Sequence, residues 1–241
     1  MKTVRLDRLL ANLGYGSRRE IAILARNGRI RRGETIFREA DAKIALEEAA
    51  ALEVDRAPLD PLPGLVVMMH KPTGVTCSHK EAGPLVHRLL PERWRRREPA
   101  LSTVGRLDKD TSGLLLLTDD GALLHRIISP KTAIPKSYRA TLARDLTGEE
   151  AAIFASGTLM LEGEDKPLSP ARLDVFGARE AVLTITEGRY HQVRRMFAAV
   201  GNHVERLHRE RIGGLALPDD LAPGDWVVLA PGEVEKVFKV T

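Results

Sequence analysis

The sequence of 241 residues contains little that would support a disulfide, a metal centre or a membrane span. Its lone cysteine, Cys77, excludes an internal disulfide and any Cys-x-x-Cys metal or redox pair. The histidines include no His-x-x-x-His pair backed by a carboxylate, so we expect no catalytic metal. No stretch approaches the roughly 20 apolar residues that a membrane-spanning helix requires. The N-terminus leads into a charged segment instead of an apolar signal core, and we therefore predict a cytoplasmic protein without membrane contact.

Positive charge is concentrated at one end of the chain. Residues 1–43 carry 11 Lys and Arg against 5 Asp and Glu, a balance of +6, whereas the whole chain carries +4 and the remaining residues therefore −2. A basic element on a near-neutral body suits a protein that holds a polyanion with one part and acts with another.

The basic end has the pattern of two helices and a hairpin. Leucines 6, 9, 10 and 13 form a helical stripe that ends at Gly14. Ser17 and Glu20 form a capping box for a second helix, which Gly28 would end. Residues 30–36, with Gly33 at the turn, predict a tight hairpin.

Arginines cover the polar faces of this module, and a guanidinium can donate two hydrogen bonds to one phosphate. The candidates for RNA contact are Arg18, Arg19, Arg26 and Arg29. A solvated polar face is the alternative explanation. The module resembles the S4 RNA-binding domain, and the resemblance implies an S4-like RNA-binding domain over residues 1–56. Prolines in residues 57–63 cannot continue a helix or a central strand, so we predict a linker there and a second domain over 64–241.

The second domain contains one stretch that a catalytic site could be built on. Residues 105–113 read Gly-Arg-Leu-Asp-Lys-Asp-Thr-Ser-Gly, a charged turn bracketed by glycines, and the apolar run 114–117 follows. This predicts a loop that enters a buried strand and places Asp108 at the mouth of a core. An acidic hairpin tip is the alternative from composition alone.

Three further motifs accompany this loop. Lys71 follows an apolar run in His-Lys-Pro-Thr-Gly, a rigid turn that would present the lysine at the surface. Tyr138, one of three tyrosines, lies in Lys-Ser-Tyr. From the pattern alone, it is equally well explained as a strand residue whose ring packs in the core. Arg194 lies beside apolar Val193 at the opening of a helix, and a buried guanidinium there would need a carboxylate. We predict that Asp108 is that carboxylate.

Together these motifs resemble the RsuA-type pseudouridine synthases over essentially the whole chain, and in that family the aspartate of Gly-Arg-Leu-Asp is essential. The resemblance, with several strands alternating with helices, predicts an α+β protein: a small S4-like domain of two helices plus a hairpin, and a larger catalytic domain on a mixed, mostly antiparallel sheet. It also implies that no cofactor is needed and that the protein acts on ribosomal RNA as a monomer.

The resemblance implies a role for each motif. Asp108 acts at the sugar, either by removing a C2′ proton to give a glycal or by adding to C1′. Arg194 keeps that carboxylate ionised, and Tyr138 is the base for the C5 proton or the platform on which the uracil stacks. Arg106 fills the space of the flipped uridine, unless it only pairs with a loop carboxylate. Lys71 belongs to the Lys-Pro-x-Gly element that accompanies the aspartate motif, and we group it with the RNA contacts.

Residues 187–204 and 208–214 resemble most closely the branch of the family that modifies uridine 516 of 16S ribosomal RNA. The substrate would be that RNA, free or in an assembly intermediate of the small subunit. A synthase for 23S RNA with the same layout is one alternative. The alternative from another class is a non-catalytic, ribosome-associated S4 protein, for which the Asp108 loop would have no use.

Overall fold

The computed structural model of the protein describes residues 3–78 and 83–239. The predicted ranges 1–56 and 64–241 also include residues 1–2, 79–82 and 240–241, which lie outside the described residues. The chain forms two compact units. The first consists of Met1–Leu65, His87–Ser102 and Thr118–Gly121, and the second of Val66–Val86, Thr103–Leu117 and Ala122–Thr241.

The first unit contains short helices and strands around a core of leucine, isoleucine and alanine side chains. Its elements are β1 (Thr3–Arg5), α1 (Leu6–Asn12), α2 (Arg18–Arg26), β2 (Ile30–Arg32), β3 (Thr35–Ile36), β4 (Lys43–Ala45), α3 (Leu46–Ala49), β5 (Glu53–Val54) and β6 (Ala57–Pro58). Strand β1 pairs with β4, and a second sheet has the order β3-β2-β5-β6. A 3₁₀ helix at Glu92–Arg96 also belongs to this unit.

The local signals at the start of the chain produce the predicted elements. All four leucines of the first stripe are buried, and α2 begins with the predicted capping box, in which Glu20 N–H and the Ser17 side chain bond at 3.3 Å. Gly28 follows the end of α2 with φ of +69°, a conformation that favours glycine. The hairpin β2–β3 turns at Gly33, as predicted.

Four RNA-contact candidates lie on this unit with different surroundings. Arg18, Arg19 and Arg26 are exposed on α2. Arg29 is also exposed, but its guanidinium forms an ion pair with Asp55, which lowers the pKa of that carboxyl. Exposed ion pairs of this kind contribute little to stability and can open.

The division into units differs from the predicted boundaries at 56 and 64. Within the predicted linker, Ala57–Pro58 forms the edge strand β6, a position that tolerates proline. Arg97 joins the next residues to a later segment, because its guanidinium donates to the Asp119 carboxylate at 2.8 Å and to the carbonyl of Pro61 at 2.8 Å. The Arg97 and Asp119 side chains are 1% and 2% exposed, so this ion pair is an internal part of the first unit.

The second unit contains the larger sheet. Its elements are β7 (Val66–Lys71), β8 (Ser102–Thr103), β9 (Thr111–Thr118), α4 (Gly121–Ile128), β10 (Lys136–Leu142), α5 (Glu150–Ala155), β11 (Arg172–Gly177), β12 (Glu180–Ile185), α6 (Gln192–Ala199), β13 (Val204–Ile212), β14 (Leu215–Ala216), β15 (Trp226–Val228) and α7 (Pro231–Val234). Further 3₁₀ turns occur at Pro130–Thr132 and Glu235–Phe238, and another, Val86–Leu89, lies where the chain passes from the second unit to the first.

The sheet of the second unit has the order β11-β12-β10-β13-β9-β7-β15, with β14 beside β13 and β8 beside β9. Strands β9 and β13 pair in parallel, whereas β10 pairs antiparallel with both β12 and β13. The predicted α+β class with a mixed, mostly antiparallel sheet is confirmed. The predicted apolar run 114–117 lies in β9 with each side chain 0% exposed. Among the described residues, no helix has the length and apolar character needed to cross a membrane.

Candidate active site

The loop that contains Asp108 is fixed by a buried lysine. The ammonium of Lys71, at the end of β7, donates to the backbone carbonyls of Pro72 at 3.0 Å, Asp108 at 3.0 Å and Thr111 at 2.8 Å. The Lys71 side chain is 0% exposed, and burial lowers its pKa. The structure therefore corrects the expectation that Lys71 is presented to RNA: three inward carbonyls hold it in the interior, where it positions the loop.

Asp108 keeps its carboxylate accessible, with the side chain 33% exposed. Its backbone carbonyl accepts a second hydrogen bond, from Thr111 N–H at the start of β9, at 3.1 Å. The backbone of Asp108 is therefore held against β9, while its carboxylate remains partly exposed. The nearest ring nitrogen is His191 Nε2, which lies 3.3 Å from Asp108 Oδ1. His191 is thus in a position to orient this carboxylate.

His191 occupies an unusual backbone position immediately before α6. Its φ of +49° lies in the left-handed region, which residues other than glycine rarely adopt. Its ring stacks on Tyr190 at 3.9 Å between centroids, and Tyr190 is 76% exposed. The turn is held by the buried Gln192, whose side chain accepts from Arg189 N–H at 2.9 Å and donates to Glu187 at 3.0 Å. Backbone strain of this kind is often found at functional sites.

Arg194 does not form the predicted ion pair with Asp108. Its Nη2 lies 2.8 Å from Asp110 Oδ2, and its Nη1 donates to the carbonyl of Val204 at 2.8 Å. From the first turn of α6 the side chain reaches the start of β13 and the loop two residues beyond Asp108. Arg194 therefore holds the loop through Asp110, and His191 occupies the position beside Asp108.

Tyr138 lies in β10 between β12 and β13, and its side chain is buried, with 8% of the residue exposed. Its hydroxyl accepts a hydrogen bond from Arg209 Nη1 at 3.3 Å. Arg209, its neighbour on β13, is 2% exposed and also donates from Nε to the carbonyl of Leu114 at 2.8 Å. Its guanidinium carbon lies 5.8 Å from the centre of the Tyr138 ring. The phenol is thus fixed by a buried cation.

These side chains line one cleft of about 450 Å³ within the second unit. Its polar and aromatic lining includes Arg106, Asp108, Lys136, Tyr138, His191, Arg194 and Arg209. The structure therefore brings together Asp108, Tyr138, Arg194 and Arg106 from distant parts of the sequence. Burial, with Arg209 nearby, lowers the pKa of Lys136 to about 8. Lysine and arginine side chains outnumber carboxylates in this lining, which favours an anionic ligand.

Three polar atoms of the cleft lining are buried and have no hydrogen-bond partner among the described residues. They are Thr111 Oγ1, Arg194 Nε and Arg209 Nη2. Unpaired buried polar atoms cost free energy, and these three belong to residues that line this one cleft. The part of the chain that the structure describes contains no group of three or more His, Cys, Asp or Glu side chains suited to a metal ion.

Sequence reasoning assigned no role to Arg209 or His191, although both lie in motifs that it singled out. Arg209 lies two residues after the buried Leu207, so in a strand both side chains point to the same, inner face. A charged side chain on an inner face could have identified Arg209 as a functional residue. His191 lies near Asp108 because its backbone adopts a left-handed conformation, which no local sequence pattern predicts.

The cleft offers a carboxylate for attack or proton abstraction, a fixed phenol, and cations to stabilise negative charge.

Comparison with known proteins agrees with this chemistry. The family model described as RNA pseudouridylate synthase matches residues 65–199. A protein of Escherichia coli K12 with the name ribosomal small subunit pseudouridine synthase A is 42% identical over 238 residues, which covers 97% of this chain and 100% of that protein.

Two further comparisons agree. The protein of the same name from Vibrio cholerae is 39% identical over 236 residues, 98% of this chain and 100% of its own length. A solved crystal structure of a pseudouridylate synthase superposes with a TM-score of 0.68 at 36% identity and covers 97% of this chain and 99% of the other.

Proposed function

Since the chain belongs to the RNA pseudouridylate synthase family, we propose that this isomerase converts uridine 516 of 16S ribosomal RNA to pseudouridine. The relatives named as small-subunit synthases support the choice of RNA, because their similarity extends over nearly the whole chain. The observation that carries the proposal is the cleft itself, where the Asp108 carboxylate and the Tyr138 phenol lie with a surplus of cationic side chains.

The reaction breaks the bond between N1 of the base and C1′ of the ribose and forms a new bond from C5 to C1′. We propose that Asp108 acts at the sugar, by taking the C2′ proton or by adding to C1′. Its backbone is held by Lys71 and Thr111, and His191 lies beside its carboxylate. Holding a reacting group in one geometry lowers the barrier by removing the entropy of bringing it there.

The base must remain in the cleft after the bond breaks. We propose that Tyr138 stacks on the uracil and that, once the base has turned, its hydroxyl relays the C5 proton toward solvent, accepting that proton as it releases its own. Arg194 acts less directly than predicted, since its ion pair with Asp110 holds the loop that carries Asp108. This assignment keeps the three predicted catalytic residues and changes the role of one.

The target uridine must leave its helix to enter the cleft, at a cost of a few kcal/mol. Arg106 lines the cleft two residues before Asp108, and we propose that it occupies the vacated space. We propose further that residues 1–56 of the first unit form an S4-like domain that anchors the RNA through Arg18, Arg19 and Arg26, with Arg29 joining when its pair with Asp55 opens.

The decisive experiment compares the wild type with Asp108→Asn on small-subunit RNA labelled with tritium at C5 of uridine. We expect RNA binding to persist and tritium release to stop. Asp145→Asn is the matched control, because Asp145 is 65% exposed and pairs with Arg179 on the surface of the same unit. Tritium release by Asp108→Asn at the control's rate would contradict the catalytic assignment.

The site of modification is tested by mapping pseudouridine in 16S and 23S RNA from a deletion strain with and without the restored gene. We expect one restored position, in 16S RNA. A restored position in 23S RNA would assign the enzyme to the other ribosomal subunit and refute the proposed substrate. Repeating the reaction in vitro on free 16S RNA and on RNA with bound ribosomal proteins identifies the form that the enzyme recognises.

A further inference from the structure

Arg209 is the most buried cation of the cleft lining and is only partly satisfied. Its Nε and Nη1 donate to the Leu114 carbonyl and the Tyr138 hydroxyl, while Nη2 is buried and has no partner within the described residues. These two hydrogen bonds set the position of the guanidinium. The group is therefore held with one donor unused.

The charge of Arg209 is also uncompensated within the described residues, where no carboxylate lies within 4.0 Å of its guanidinium. A buried arginine stays charged, and a buried charge without a partner is strongly unfavourable. By contrast, Arg194 in the same lining is paired with Asp110. Such a cation at a reaction site lowers the free energy of a transition state in which negative charge forms beside it.

We propose that Arg209 is a catalytic residue that donates a hydrogen bond from Nη2 to a carbonyl oxygen of the uracil and stabilises the base as it leaves the ribose. This inference rests on the proposed function. When the N1–C1′ bond breaks, its electron pair departs with the base, and the negative charge spreads over the ring and its two carbonyl oxygens. On the sugar side, Asp108 acts by one of two routes. As a base it takes the C2′ proton and returns it when C5 bonds to C1′; as a nucleophile it forms a bond to C1′ that breaks when C5 bonds there. When C5 has bonded to C1′, the C5 proton leaves and N1 gains one, so substrate and product are isomers.

The geometry favours the base over the phosphate or sugar as the ligand of Arg209. The guanidinium bonds to the hydroxyl of Tyr138, the residue on which the uracil is proposed to stack, and is 2% exposed in the interior of the lining. Phosphates stay at the surface of an RNA, whereas a flipped base enters the pocket. The base, which is the part of the substrate that becomes negative, is therefore the part that can come nearest to the spare donor of Arg209.

The test uses Arg209→Gln with two small-subunit RNA transcripts that differ only at the modified position, which is uridine or 5-fluorouridine. Fluorine at C5 withdraws electrons and makes the uracil a better leaving group, so cleavage with it depends less on Arg209. Single-turnover loss of the starting nucleoside is followed in nuclease digests. We expect Arg209→Gln to slow the uridine reaction about 100-fold, and the 5-fluorouridine reaction less than about 10-fold, with unchanged RNA affinity.

Two controls separate chemistry from folding. Arg97→Gln also removes a buried arginine, in the first unit, so it lowers stability but leaves the ratio of the two rates at the wild-type value. Arg209→Lys retains the charge but lacks the Nη2 donor, and it serves if the glutamine variant does not fold; a smaller loss, again selective for uridine, is expected. Equal slowing of both transcripts, or no slowing, would overturn the proposal. If the wild type modifies a different RNA, the proposed substrate fails, and the same pair of nucleosides placed in that RNA still tests Arg209.

Discussion

Gly113 allows strands β9 and β13 to approach closely, and we predict that Gly113→Ala separates them. Gly113 faces Arg209 across the parallel pair and has φ of +111°, outside the conformations that alanine prefers. A Cβ atom at this position would lie 2.3 Å from the Arg209 carbonyl oxygen and 2.6 Å from its backbone nitrogen. Since ordinary contacts begin near 3.4 Å, the strands must move apart by about 1 Å.

The size of the effect follows from two costs. A residue held in a sparsely populated backbone conformation costs about 1–3 kcal/mol, and overpacking against a neighbour that must move costs about 1–3 kcal/mol. We therefore expect Gly113→Ala to lower the free energy of unfolding by about 2–6 kcal/mol. Because a displacement of about 1 Å between reacting groups can cost about 100-fold in rate, single-turnover tritium release should fall by that order.

Gly201→Ala is the matched control. Gly201 has φ of +80° after α6, but nothing lies within 4 Å of the Cβ position, so we expect a loss of about 1–2 kcal/mol from the backbone alone and a rate within about twofold of wild type. Urea unfolding and tritium release are measured on both variants. If Gly113→Ala reacts as fast as Gly201→Ala, close approach of the two strands does not set the geometry of the site.

Three further predictions follow from the charges. Arg97→Met should destabilise the first unit by about 3–5 kcal/mol, since it leaves Asp119 buried and unpaired; a change below about 1 kcal/mol in urea unfolding would refute this. Between about pH 8 and 10.5, Lys136 keeps its proton in the unfolded chain but loses it in the folded chain, so the free energy of unfolding rises with pH. Lys136→Met should make this rise smaller. Parallel curves of unfolding free energy against pH for the two proteins would contradict the prediction. Arg18→Ala with Arg19→Ala should weaken RNA binding and reduce the slope of log affinity against log salt by up to about 2, and an unchanged slope in filter binding would exclude these residues as phosphate contacts.

The elements that the sequence predicted well are those with local signals. The capping box of Ser17 and Glu20 and the left-handed Gly28 determine α2 within a few residues, and no distant contact is needed. The apolar run 114–117 predicted a buried strand for the same reason. Helix α5 begins only at Glu150, because the Glu150 carboxylate accepts hydrogen bonds from the backbone N–H groups of Thr147 and Gly148 and keeps them in a turn.

The contacts of the site depend on tertiary placement and were predicted less well. Pattern indicated that Arg194 needs a carboxylate, but both Asp108 and Asp110 are in the same loop, and only the register of β13 beside β9 selects Asp110. Lys71 was expected at the surface because it opens a rigid turn, Pro-Thr-Gly. Its burial depends on three carbonyls, two of which come from a segment more than thirty residues later.

The parallel pair β9–β13 joins segments that the ribosome makes at different times. Ser112 and His208, which face each other in this pair, are 96 residues apart in the sequence. A nascent chain that has released only the aspartate loop lacks the strand that carries Arg209 and the helix that precedes it. The aspartate loop therefore gains its partner strand only when β13 has emerged from the exit tunnel.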